Sequence, residues 1–181
     1  MKTIYPLGHE QTELVRLDTQ AELLRDPLLE ELAAKATSCL EIGCGNGSNL
    51  PVLRQINSQL RYTGIDIMEL AVHAAKSRFK NDADAEFFVM DASSVIDFAG
   101  CSFDLVFTKL VLWSVGPSWT EVVKEAFRLL SPGGVFYALE PCNQLVELFP
   151  VKPAAKAWMN AWDRQQNHSA CRPQVSCERR Q

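Results

Sequence analysis

The 181-residue sequence predicts an α/β chain: a three-layer αβα sandwich around a mostly or wholly parallel sheet, with five readable strands preceded by N-terminal helices. Three observations carry this prediction. From Cys39 onward, short apolar runs alternate with segments of helical period, the pattern of strands joined by crossover helices. The first run leads directly into Glu41-Ile-Gly-Cys-Gly-Asn-Gly47, with glycine at every second position, and a helix-like segment follows. Backbone without a Cβ can turn sharply there and approach a ligand closely. Two further apolar runs end at carboxylates, Asp66 and Asp91. Open parallel sheets bind ligands beyond that end of their strands.

Each element has a local reason. Leu14, Leu17, Ala21 and Leu24 recur at helical spacing, and Asp26-Pro27 restarts a second helix with Leu28, Leu29, Leu32 and Ala33 on its apolar side. Strands are expected at Cys39–Ile42, Tyr62–Asp66, Glu86–Met90, Phe103–Thr108 and Val135–Glu140. Met68, Ala71, Val72, Ala75 and Phe79 share one helix face. Trp119, Val122, Val123, Ala126, Phe127 and Leu130 share another. That last helix is expected to open on a Ser118/Glu121 capping box and to stop at Ser131-Pro132-Gly133-Gly134. Pro153 to Gln166 can form a further helix, followed by a polar tail without periodicity. The expected organisation is a helical lid over residues 1–37, an α/β core over 38–150, and a C-terminal helix with an irregular tail over 151–181.

Composition narrows the function classes. A net charge of −4 supplies no basic field to recruit nucleic acid. The N-terminus has no apolar signal core and no apolar run approaches bilayer length, so no membrane span and a cytoplasmic location are expected. The six cysteines are irregularly spaced and are expected to be reduced. His168, Cys171 and Cys177 cluster without a CxxC pair or fourth ligand, so no metal is expected.

The glycine turn reads GxGxG, not the GxGxxG of dinucleotide sites, and an acid at Glu41 would repel a pyrophosphate but suit an ammonium. The implied ligand is nucleoside-like and positively charged. With this motif the chain resembles the class I S-adenosylmethionine-dependent methyltransferases, whose motif I reads E/DxGxGxG, and the resemblance implies a Rossmann-like fold and S-adenosyl-L-methionine as cofactor. It implies a cofactor site built from Glu41, Gly43, Cys44, Gly45, Asn46 and Gly47 for the methionine part. Asp66 would accept from the ribose diol and Ile67 and Met68 would pack on the adenine. Asp91 and Ala92 would meet the adenine amino group, and Lys109 would touch the methionine part or the acceptor. Its coverage is roughly residues 1–166, and the family's C-terminal hairpin is missing, which would leave the fifth strand as an exposed edge open to self-association.

The expected reaction is methyl transfer to a small-molecule acceptor by in-line displacement, with Lys109 and Trp113 as candidates on the acceptor side. Many relatives carry a histidine where this chain has Ser114. No (D/N/S)PPY follows the fourth strand, which argues against amino-group methylation of bases or glutamine. Pro141-Cys142 is read as an ordinary loop and not as a cytosine-C5 nucleophile. Gln20 and Tyr5 are candidate lid contacts to the ligand. The alternative is a truncated methyltransferase-like protein that binds cofactor or a partner without catalysis.

Overall fold

A computed structural model describes residues 11–141. Two N-terminal helices, α1 (Gln11–Leu23) and α2 (Pro27–Lys35), lead into β1 (Ser38–Ile42). The chain then runs α3 (Leu50–Ile56), β2 (Arg61–Asp66), α4 (Glu69–Arg78), β3 (Ala85–Val89), β4 (Phe103–Lys109), α5 (Trp119–Leu129) and β5 (Leu130–Leu139). The sheet order is β3-β2-β1-β4-β5 and every pairing is parallel. The fold is therefore α/β and Rossmann-like, as the alternation of apolar runs implies. Residues 11–140 belong to one unit; of the second, residues 141–181, only Pro141 is described. The expected helix at 153–166, the polar tail, Cys142, the His168/Cys171/Cys177 cluster and Tyr5 lie outside the described residues.

Alternation along the strands sorts side chains to the two faces. Cys39, Tyr62, Phe87, Leu105 and Phe107 point to one face, where Leu29, Ala33, Leu50, Leu53, Val72 and Ala75 from α2, α3 and α4 cover them. Leu40, Ile42, Ile65 and Val106 point to the other and meet Val122, Ala126 and Leu129 of α5. Between β3 and β4 no helix covers the sheet, and Arg128 of α5 fastens the connection by donating to the carbonyls of Ile96 and Phe98 at 2.7 and 3.0 Å.

Several local expectations hold and some do not. Asp26 caps α2, its Oδ1 accepting from the amides of Leu28 (2.9 Å) and Leu29 (3.1 Å). No capping box forms at α5. Ser118 closes a 3₁₀ turn, Gly116–Ser118, without a side-chain cap bond, and Glu121 instead accepts from the Thr120 hydroxyl. The Ser131–Gly134 stretch is not a helix stop either. α5 passes straight into β5 at Leu130, and these residues form an irregularity in β5 between Leu130, opposite Phe103, and Val135, opposite Leu105. Phe127, expected on the apolar face of α5, is 61% exposed, with its ring centroid 5.7 Å from that of Phe136; Leu129 takes the buried position.

Candidate functional site

Strand order reverses between β1 and β4, so the crevice for a ligand opens at their C-terminal ends, where the glycine turn lies. The turn is hung from β2. The amides of Gly43 and Cys44 both donate to the Ile65 carbonyl (2.8 and 3.0 Å), and the Gly45 amide donates to Asp66 Oδ2 at 2.8 Å. Gly43 has φ +78°, and a Cβ there would stand 2.3 Å from Val111 Cγ2 of the loop after β4. Only glycine satisfies both demands.

Beneath the turn lies a buried chain of polar groups. Glu41 is 1% exposed, the next inward-facing residue of β1 after Cys39. Its Oε1 accepts from Asn49 Nδ2 at 2.6 Å and its Oε2 from the Tyr62 hydroxyl. Asn49 Oδ1 in turn accepts from Lys109 Nζ at 2.9 Å, so one amide joins a carboxylate to an ammonium. Burial pushes the Glu41 carboxyl up to about 7, against the lowering effect of Tyr62, Asn49 and Lys109. Burial also lowers Lys109, which Glu41, Asp26 and Glu22 partly offset.

Of the remaining residues named from the sequence, Asp66 has both oxygens engaged by backbone, Oδ2 with Gly45 and Oδ1 with the Met68 amide at 2.9 Å. Burial raises it, opposed by those amides. Ile67 is 55% exposed beside it, and Met68 stands at the N-cap of α4. Asp91 lies at the same rim, one residue past Met90, whose amide bonds the Asp66 carbonyl at 3.0 Å. Its carboxylate is folded back on Ser93, accepting from the amide and the hydroxyl, while Ala92 packs against the α5-side core. Asn46 and Ser48 are buried and bonded to each other across the turn. Glu41, Gly43, Cys44, Gly45, Asn46 and Lys109 thus share one cleft, whereas Gly47, Asp66, Ile67, Met68, Asp91 and Ala92 stand outside its lining.

The loop after β4 forms the opposite wall. Leu110, which lines the cleft, has φ +61°, a left-handed conformation uncommon for a bulky residue. It is held by Glu140, the residue after β5. Glu140 Oε1 accepts from the amides of Val111 (3.1 Å) and Leu112 (3.0 Å), and Oε2 from that of Trp113 (3.2 Å). Trp113 Nε1 closes the turn on the Leu110 carbonyl at 2.8 Å, and Ser114 donates to the Val111 carbonyl. Sequence reading missed Glu140, Asn49 and Tyr62. An acid ending the fifth strand was the available signal for Glu140, the same signal that singled out Asp66. For Asn49 and Tyr62 no spacing rule applied.

Helix α1 covers the cleft with Leu17, Gln20 and Ala21. Lys109 Nζ also approaches the Ala21 carbonyl at 3.4 Å. Asp18 accepts from Ser48 of the turn and from Arg78 of α4, both at 2.6 Å. With α1 docked, the cleft encloses about 50 Å³. Among the described residues, no group of three or more His, Cys, Asp or Glu could hold a metal, and no helix is long and apolar enough to cross a membrane.

Known proteins resemble this chain in sequence and fold. Arsenite methyltransferase of Aquipseudomonas alcaligenes is 32% identical over 108 residues, covering 54% of this chain and 31% of that protein. Demethylmenaquinone methyltransferase of Leptospira interrogans is 31% identical over 104 residues, covering 56% of this chain and 41% of that protein. The chain thus spans about a third to two fifths of the length of these two relatives. A solved S-adenosylmethionine-dependent methyltransferase from Methanosarcina mazei superimposes with a TM-score of 0.55 at 31% identity, covering 63% of this chain and 57% of that one. Residues 40–138 match the family described as "Methyltransferase domain", more than half of the sequence. The chain belongs to the class I S-adenosylmethionine-dependent methyltransferase family.

Proposed function

We propose that this chain binds S-adenosylmethionine in the cleft at the glycine turn and serves methyl transfer to a small-molecule acceptor by in-line displacement. One observation carries the reading: the cleft offers the Glu41 carboxylate and the Lys109 ammonium, joined through Asn49, under a turn that only glycine can form. A zwitterionic amino-acid moiety needs both signs of charge at close quarters, so the donor set fits the methionine end of the cofactor. Cys44, Gly45 and Asn46 border that end. Asp66 retains lone pairs for a ribose diol even with two amides bound. The exposed Ile67 and the neighbouring Met68, with Asp91 and Ala92 farther along the rim, suit the adenine. Lys109 and Trp113 stay the candidates on the acceptor side. When bound, the cofactor supplies a methyl group activated by a sulfonium.

The chain's own residues orient and exclude. Near-attack alignment is worth several kcal/mol, roughly 7–11 in favourable cases, without a covalent step. Leu110 and the Glu140-held loop wall the side from which an acceptor would approach. Helix α1 acts as a lid. The space left under α1, about 50 Å³, is small for a ligand site, and an outward shift of α1 would enlarge it for the methionine end. The net charge of −4 supports an acceptor other than nucleic acid, and the buried free thiols Cys39 and Cys44 support a reducing, cytoplasmic setting.

A second reading, cofactor or partner binding without turnover, is favoured by β5. This strand pairs with β4 alone among the described residues, so its outer edge is unpaired within them, and an unpaired edge is a place for self-association. Calorimetric titration with S-adenosylhomocysteine tests the primary reading. Saturable binding is expected, and none at hundreds of micromolar, roughly 5 kcal/mol of affinity, would remove it. Screening metabolites with a labelled methyl donor then separates turnover from binding alone.

A further inference from the structure

We propose that Tyr62 is a positioning residue of the cofactor site, holding the Glu41 carboxylate in place as an anion under the glycine turn so that it balances the cationic end of the cofactor and Lys109. The inference rests on the cofactor reading above and extends it to a residue in the core, on the strand beside β1.

A buried carboxylate is costly unless its oxygens are hydrogen-bonded and its charge is balanced. Glu41 has two donors on it: the Asn49 amide on Oε1 and the Tyr62 hydroxyl on Oε2. Its cation, Lys109, reaches it through Asn49. Tyr62 is 1% exposed, and its ring sits beside Phe87 with centroids 5.5 Å apart. A phenol that deep requires a partner for its O–H, and the parallel register places Tyr62 opposite Cys39, two residues before Glu41 on the same face. Opposite Glu41 itself is Gly64, where a Cβ would run into Cys44 and Phe87. The missing side chain leaves Cys44 and the Phe87 ring room beside the phenol and the carboxylate.

Among the described residues, the charged and titratable groups facing Glu41 are few. They are Cys39 on its own strand, Tyr62 and Asp66 on β2, Cys44 in the turn and Lys109 on β4. Desolvation is the largest effect and places the carboxyl at about 7, with Asp66 adding to it and Tyr62, Asn49 and Lys109 opposing. Removing the phenol oxygen therefore moves the titration upward. The folded value exceeds the unfolded one. The group's stabilising contribution is thus full below the ordinary carboxylate range and is lost as pH rises through about 7. Without the phenol that loss extends to higher pH.

The test is calorimetric titration of the full chain with S-adenosylhomocysteine from about pH 6 to 9, with ligand-free urea unfolding at the same pH values. Wild type is expected to lose affinity on the acid side as Glu41 protonates. Tyr62→Phe keeps the ring and should shift that midpoint up by about one pH unit, so its weakening approaches tenfold at the acid end and vanishes at the alkaline end. The unfolding profile should shift by the same amount. In a Glu41→Gln background, Tyr62→Phe should no longer change the shape of either profile. A uniform, pH-independent loss, or unshifted unfolding profiles, would overturn the proposal while leaving the cofactor reading intact. Absence of wild-type binding at every pH would overturn the cofactor reading and the proposal's cofactor role together, even if the unfolding profiles shift.

Discussion

Asp66 and Glu140 do the same mechanical job on the two walls of the cleft in different surroundings. Asp66 closes β2 and gathers the amides of Gly45 and Met68, tying the glycine turn to the start of α4. Glu140 follows β5 and gathers three amides, fixing the loop that carries the strained Leu110. Both are partly exposed. Burial raises the carboxyl of the first, which stands beside the proposed cofactor, and the second stands behind the loop that carries Leu110. A carboxylate at a strand end is thus one device with two uses. One wall pairs it with a glycine motif, and the other pairs it with a loop that has no motif at all.

Gly43 is where the two walls touch, and substituting it is expected to have the largest effect. Gly43→Ala meets a left-handed φ and a Cβ 2.3 Å from Val111, so urea unfolding should show a loss of about 3 kcal/mol, with S-adenosylhomocysteine binding abolished. A loss under about 1 kcal/mol would mean the walls are not in contact. Glu140→Ala strips the side-chain acceptor from three amides and should cost about 2 kcal/mol of stability, while S-adenosylhomocysteine affinity changes less than twofold. If affinity falls instead as far as stability, Glu140 serves both walls and the division fails.

Asp66→Ala should show the converse balance. About tenfold weaker S-adenosylhomocysteine binding, 1.4 kcal/mol, is expected by calorimetry, and unchanged affinity would make Asp66 a purely structural tie. The smallest effect belongs to α1. Asp18→Ala removes an ion pair to Arg78 whose partners are 45% and 36% exposed, together with the bond to Ser48. Such pairs are worth at most about 1 kcal/mol, so ligand association followed by stopped-flow tryptophan fluorescence should quicken by about two- to fivefold. Slower association would show that α1 does not have to move.

Legibility differed from element to element for physical reasons. All five strands were readable because a parallel sheet covered on both faces needs continuous apolar runs, and each observed strand overlaps its expected one. The Asp26-Pro27 helix start was readable because a cap is local chemistry. The Ser118/Glu121 capping box failed because the 3₁₀ turn at Gly116–Ser118 gave Ser118 the wrong backbone, with ψ 0° in place of the extended value a capping residue needs. The Ser131–Gly134 stop failed because β5 begins at Leu130 through pairing with Phe103, a contact from 27 positions earlier in the chain. The glycine turn was legible, since positive φ demands glycine. The buried network beneath it and the tie of the opposite loop were not, since Tyr62, Asn49 and Glu140 act through partners brought together by the sheet: Glu41, Lys109 and the loop after β4.

The sequence by itself determined the fold class, the strand set and the glycine turn with its acid, because period, apolar runs and backbone freedom are properties of neighbouring residues. Only the tertiary structure decided what Glu41 touches, that Asp66 and Glu140 hold opposite walls, and that α1 lies across the cleft. Those outcomes depend on strand order and on burial. Burial turns an ordinary carboxylate into one poised near neutrality, and it exists only once β1, β2 and β4 lie side by side.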